Sequence, residues 1–310
     1  MRSAIDATIV VMDGVIAWLS EADPAISWQV MRDLTDDGRA QKERSRVARE
    51  GWGDRLLQAQ ADDGMWGGGA YSPKWISTTY SLLLLRHFEP DPGDNRVVRA
   101  IQRVRDQVDM RGPFFEYSNE MCVTGMVLAL RSYFFEDVGD PPQIEHILSR
   151  QKDDGGWNCR VSSERSSFHT TLSVLEALRE YEDAVGGDRD LAAARQRAHE
   201  YLLERRLMFS LSTGELIEKR WLLLSFPPRW FYDILRALDY LRISGMEPDP
   251  RMKEALDVVK GKQRPDGTWP LQGRHPGRVH FEMEDGSGKP SRWNTLRSLR
   301  VLRWHEGTAG

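Results

Sequence analysis

QKDDGGWNC, Gln151 to Cys159, sets a glutamine, an Asp-Asp-Gly-Gly turn and a tryptophan in front of one of the chain's two cysteines. The same frame returns as QADDGMW (Gln60–Trp66) and QRPDGTW (Gln263–Trp269). Q-x-x-x-G-x-W thus occurs three times, and a self-similar period decides an architecture before any single residue can. Only the middle copy carries a cysteine, so Cys159 reads as an incidental neighbour of a repeated turn. Each residue of the turn has a structural task. Glycine permits the positive φ at which the chain reverses, and Asp accepts backbone N–H groups beside it. The glutamine amide bridges two backbone groups, and tryptophan covers the bridge with a large flat face.

Spacing extends the pattern. Gln60 and Gln151 are 91 residues apart, and Gln151 and Gln263 are 112 apart, each twice a unit of 45 to 56 residues. A degenerate unit is therefore expected in each gap. RGPFFEYSNEMCVTGMVLAL (Arg111–Leu130) and STGELIEKRWLLLSFPPRWFYDILRALDYL (Ser212–Leu241) both offer a glycine turn followed by an apolar, helix-like run. The five turn glycines, Gly64, Gly112, Gly155, Gly214 and Gly267, step by 48, 43, 59 and 53 residues.

Each unit reads as helix, turn, helix. LSVLEAL (Leu172–Leu178), YDILRALDYL (Tyr232–Leu241) and EALDVV (Glu254–Val259) space apolar residues three and four apart, which is helical periodicity. No convincing strand is read. EPDPGDN (Glu89–Asn95), GDPP (Gly139–Pro142) and MEPDP (Met246–Pro250) supply the breaks. Asp23-Pro24 reads as a cap with proline at the first helical position, opening AISWQVMRDL.

Composition excludes several classes. A chain of 310 residues with 40% hydrophobic content can bury a large core, and eleven tryptophans is a high count for it. A formal charge of −4 argues against a nucleic-acid surface, which needs a basic stripe. Two cysteines make no disulfide framework and suggest a reducing cytoplasm. The run IDATIVVMDGVIAWL is broken by Asp6 and Asp13, which speaks against a signal peptide or membrane anchor.

The three Q-x-x-x-G-x-W segments resemble the QW motif of the squalene-hopene and oxidosqualene cyclases. The helical-hairpin period resembles the wider family that includes protein prenyltransferase β subunits. The similarity covers most of the chain from about Gly51 onward. It implies one α/α toroid over residues 1–310, with five to six hairpins around a central cavity and residues 1–50 as an N-terminal helical cap. It also implies an enzyme of the terpene cyclase or prenyltransferase kind, acting on an isoprenoid or isoprenoid diphosphate. The departures are specific. No D-x-D-D acid is present, DLTDD (Asp33–Asp37) has the wrong spacing, and no D-D-x-x-D metal motif occurs. Prenyltransferases hold zinc with Asp-x-Cys and a distant His, whereas here Trp157 precedes Cys159 and Glu120 precedes Cys122 by two positions. No cofactor is expected. Glu120-x-Cys122 with His169 is the one zinc-like set, and Cys122 reads more simply as a small buried hydrophobe.

In that architecture the residues after each turn, where inner helices begin, look into the cavity. This selects Trp75, Glu116, Tyr117, Glu120, His169, Arg229, Trp230, Tyr232, Asp233, Arg292, Trp293 and Asn294. His169 either bonds its own helix or serves as general acid or base. Asp233 either pairs with Arg236 or, desolvated, donates a proton. Glu116 and Glu120, four apart, are solvated charges or an acid-base pair. Trp75, Trp230 and Trp293 are core or an aromatic ring around a cation. An insertion near 271–291 holds His280 and Lys289 and reads as a lid or site loop. Lys289 and Arg292 either hold a phosphate or carboxylate or form a solvated rim. Two functions follow: isoprenoid chemistry in the cavity, or binding of a polar anionic ligand by the same fold. A scaffold for protein partners is a weaker third.

Overall fold

The computed structural model describes residues 2–187 and 189–307, with side chains from Val11 onward. Asp6 lies outside the described side chains, and the sequence limits at Met1 and 308–310 lie outside the described residues. Over the rest the chain is all-α. Its α-helices are α1 (Arg2–Ser20), α2 (Pro24–Asp33), α3 (Ala40–Arg44), α4 (Gly51–Gln58), α5 (Thr78–Phe88), α6 (Asn95–Gln107), α7 (Met121–Phe134), α8 (Gln143–Leu148), α9 (Phe168–Val185), α10 (Arg189–Glu204), α11 (Ile234–Ile243), α12 (Lys253–Lys260) and α13 (Arg292–Gly307). Among the described residues the strands form one antiparallel ladder, β1 (Trp269–Pro270) with β2 (Pro290–Ser291), at the base of the C-terminal insertion, beside a few isolated bridges.

Two kinds of helix alternate. In α6 the buried residues Val97, Ala100, Ile101 and Val104 form one stripe at i, i+3, i+4 and i+7, so that helix covers the outside of a core. In α5, α7 and α13 burial runs nearly all round. The buried helices are linked in series. Trp28 Nε1 of α2 donates to the Phe88 carbonyl of α5 at 3.1 Å. Helices α5 and α7, α7 and α9, α11 and α13, and α13 and α2 pack directly. Arg236 of α11 grips Glu176 of α9 at 2.8 and 2.6 Å.

The repeated turns fasten these helices identically. Gln60, Gln151 and Gln263 each donate through Nε2 to the turn-glycine carbonyls of Gly64, Gly155 and Gly267. Trp66, Trp157 and Trp269 are fully buried. Their Nε1 groups donate to the carbonyls of Leu56, Ile147 and Val259 at 2.7, 2.8 and 2.7 Å. Their backbone N–H groups donate to the hydroxyls of Thr78, Thr171 and Thr295, in the first turns of α5, α9 and α13. At Gly155, φ is +92° and an added Cβ would stand 2.5 Å from the Arg197 carbonyl oxygen of α10. At Gly267 it would meet Val11 and Val15 of α1 at 2.8 and 2.9 Å. The last turn therefore abuts the first helix.

Asp23 caps α2 as read, accepting the Ala25 N–H at 2.9 Å, and it also accepts the Trp52 N–H at 2.7 Å. The run after Gly214 is a correction. LLLSFPPRW is not helical; a 3-10 turn covers Lys219–Leu222 and α11 begins only at Ile234. Pro227 and Pro228 cannot donate a helical hydrogen bond, and they exclude the α conformation from the residues before them. No described helix is long and apolar enough to cross a membrane.

Candidate functional site

Two cavities share Phe226 in their linings. The loop cavity, about 340 Å³, lies between the segment before α5 and the C-terminal insertion. Trp75, Phe226, Arg229 and the insertion residues from Leu271 to Glu284 line it. The insertion is pinned across the chain: the Trp75 N–H and Nε1 donate to the carbonyls of Arg278 and Pro276, both at 3.0 Å, and His280 Nε2 is 2.7 Å from Ser81 Oγ. Glu284 folds back to accept from Ser291 Oγ at 2.6 Å and from the Trp293 N–H at 3.2 Å, capping α13.

Arg229 dominates this cavity. It is 8% exposed, holds φ at +59°, and lies 5.4 Å over the Trp75 ring. Among the described residues no carboxylate pairs with it. Burial pulls its pKa down to about 10. Its neighbours are aromatic: Phe231 stacks on His275 at 4.1 Å and on Trp230 at 4.0 Å.

The second cavity, the arginine chamber, is about 590 Å³ and is lined by residues of α2, α3, α5, α7, α9, α11 and α13. Eight arginines line it (Arg32, Arg44, Arg86, Arg179, Arg236, Arg242, Arg297 and Arg300), against five carboxylates: Asp33, Glu89, Glu176, Glu180 and Asp239. The lining residues carry a formal excess of three positive charges, one of them, Arg179, being paired with Asp183 outside the lining. Arg300 pairs with Asp33 and donates to Gln29 Oε1 at 2.8 Å; Asp239 is shared by Arg242 at 2.9 Å and Arg297 at 3.6 Å. Arg44 has carbonyl and hydroxyl partners instead, reaching Glu89 O at 3.0 Å, Pro90 O at 3.1 Å and the Tyr133 hydroxyl at 3.3 Å. Burial raises the carboxyls of Asp33 and Asp239, but the surrounding arginines outweigh it and hold both below the usual carboxylate range. Burial, then Arg86 and Arg297, keeps His87 neutral. Phe226 lines both cavities and stacks on Trp293 at 4.2 Å, forming the wall between them.

The residues selected from the sequence separate accordingly. Trp75, Arg229 and His280 line the loop cavity, and Trp293 lines the arginine chamber. His169 Nδ1 accepts the Tyr232 N–H at 2.7 Å, and burial followed by the Arg236 charge lowers its pKa to about 4. Asp233 caps α11 through the Arg236 N–H at 2.8 Å, and burial raises its pKa. Trp230 lies against the His169 ring at 5.3 Å, while the Tyr232 hydroxyl donates to the Leu207 carbonyl at 2.5 Å. Glu116, Glu120 and Lys289 are exposed, and Glu120 is 3.8 Å from Arg111. Tyr117 is buried beside Gln143, which donates to its carbonyl at 3.1 Å. Arg292 lies 4.8 Å over Trp18, and Asn294 Nδ2 donates to the carbonyls of Leu224 and Pro270 at 3.2 and 3.0 Å.

The zinc-like set does not assemble: the Cys122 N–H turns to Cys159, and among the described residues no three His, Cys, Asp or Glu side chains are placed to hold a metal ion. The arginine chamber was not read from the sequence. Its one signal is arginine inside runs that are otherwise apolar, in LLLLRHF, LRALDYLR and LRSLRVLR. No family model matches this chain, and no curated protein matches it.

Proposed function

We propose that the chain is an α/α toroid that binds a small polyanion in its arginine chamber. The serial links from α2 through α5, α7, α9, α11 and α13 back to α2 support the ring. So does the presence of residues from all six of these helices around one cavity. The observation that carries the function is the convergence of eight arginines from six helices on one cavity with only five carboxylates. Guanidinium forks suit phosphate and carboxylate oxygens, and a desolvated cluster of them adds little stability unless it has something to bind. The two free cysteines fit a cytoplasmic setting.

Isothermal titration of the full chain with inorganic pyrophosphate, at low and high salt, tests this. One site per chain is expected, weakening as salt rises. Arg44→Met leaves no carboxylate stranded, and it should weaken binding about tenfold, equivalent to about 1.4 kcal/mol. No heat and no thermal shift at any salt would overturn the reading.

The loop cavity favours a second reading. A buried, unpaired Arg229 among Trp75, Phe226 and Phe281 suits an anion with an apolar body, a class that includes isoprenoid diphosphates. Farnesyl diphosphate that binds without competing with pyrophosphate, and is lost in Arg229→Met, would support it. Neither His169 nor Asp233 lines either of these two cavities, so no catalytic step is assigned to them.

A further inference from the structure

Cys122 and Cys159 stand 37 residues apart in sequence and meet where α7 and α9 begin. Cys159 Sγ accepts the Cys122 backbone N–H at 3.1 Å and the Thr170 hydroxyl at 3.4 Å. Cys122 lies in the first turn of α7, so the positive end of that helix faces the sulfur through a backbone N–H, and Thr170, in the first turn of α9, adds its hydroxyl. These two donors favour the thiolate. The Cys122 hydrogen bond, followed by that of Thr170, outweighs burial and lowers the Cys159 pKa, while the same bond and burial push the Cys122 thiol up. Both residues are free and half-buried, so neither is sealed from solvent. With the Cys122 amide nitrogen 3.1 Å from Cys159 Sγ, the two thiol side chains are neighbours, which is the first requirement for joining them. The pair is separate from both anion cavities, neither of which it lines.

We propose that Cys122 and Cys159 form a redox-active dithiol that a small hydroperoxide converts to a disulfide. The Cys159 thiolate attacks the terminal peroxide oxygen; the S–O bond forms, the O–O bond breaks, and hydroxide leaves from hydrogen peroxide, or the alkoxide from an organic hydroperoxide. Cys159 is then a sulfenic acid. The Cys122 sulfur attacks that sulfur, its proton goes to the departing hydroxyl, and water leaves as the S–S bond forms. Two electrons pass from the thiols to the peroxide. The product ties the start of α7 to the turn that holds Trp157.

The test is to treat the full-length chain with hydrogen peroxide, quench with N-ethylmaleimide, and measure intact mass and peptide connectivity. The expected result is a chain lighter by two hydrogens, unlabelled by the maleimide, with the Cys122 and Cys159 peptides linked. In Cys122→Ser, dimedone should mark Cys159; in Cys159→Ser, Cys122 should be alkylated at least about tenfold more slowly than Cys159 is in Cys122→Ser. The wild-type mass requires no variant to fold. Two thiols still open to maleimide after peroxide treatment that fully oxidises free cysteine would overturn the proposal. Equal alkylation rates in the two single variants would do the same.

Discussion

Nδ1 of His169 accepts the backbone N–H of Tyr232 at 2.7 Å, tying the first turn of α9 to the segment that enters α11. That bond needs a neutral ring, and burial with the Arg236 charge lowers the pKa from 6.5 to about 4. Between those values the unfolded chain holds more protons than the folded one. The contribution of His169 to stability is thus complete above pH 6.5 and is lost as pH falls towards 4. His199 and His275, also near 4, act in the same direction, while the raised carboxyls of Asp233 and Glu284 act in the opposite one. Urea midpoints should fall from neutral pH to pH 5, and less steeply in His169→Gln. A His169 imidazole resonance titrating near its ordinary value would contradict the bond.

Trp157→Ala should destabilise the chain by about 3–5 kcal/mol, as for other buried large aromatics. The same holds for Trp66 and Trp269, whose indoles make the equivalent Nε1 bond. Pyrophosphate affinity per folded molecule should not change. Chemical denaturation beside calorimetry separates the two effects, and a stable variant that fails to bind would move Trp157 into a site.

Two turn glycines separate strain from collision. At Gly214 φ is +71° with no atom within 4 Å of an added Cβ, so Gly214→Ala should cost about 1–2 kcal/mol, the left-handed penalty alone. Gly155→Ala adds the approach to the Arg197 carbonyl and should cost clearly more. Equal thermal midpoints for the two variants would count against close packing of the turn on α10.

The turns were legible because their chemistry is local: glutamine, glycine and tryptophan lie within seven residues. Their threonine partners stand 12, 14 and 26 residues further on. A threonine opening each apolar run (TTY, TTL, NTL) was the available signal. LLLSF carries helical composition, and two prolines behind it override that preference. Asp233 and His169 were correctly placed at helix starts, but a sequence does not reveal whether such a side chain turns to a cavity or caps its neighbour. The arginine chamber was hidden for a different reason. An arginine on a helix ordinarily reads as a solvated charge, and convergence arises only once helices distant in sequence meet, as Arg300 of α13 does with Asp33 of α2.

Arg229→Met should leave the melting temperature unchanged or raise it, because it removes a desolvated cation that has no carboxylate partner while keeping the contact with Trp75. Differential scanning calorimetry checks this. A marked fall in melting temperature would make Arg229 a structural strut instead of a ligand-facing group.

The central claim, a ring of helices enclosing an anion-binding chamber, is tested most directly by a crystal structure of the chain grown with pyrophosphate. The account predicts a closed ring and density for the ligand inside it, within hydrogen-bond reach of Arg44 and neighbouring arginines such as Arg86, Arg236 and Arg300. An open arrangement of helices, or pyrophosphate bound only on the outer surface with the chamber filled by water, would contradict it.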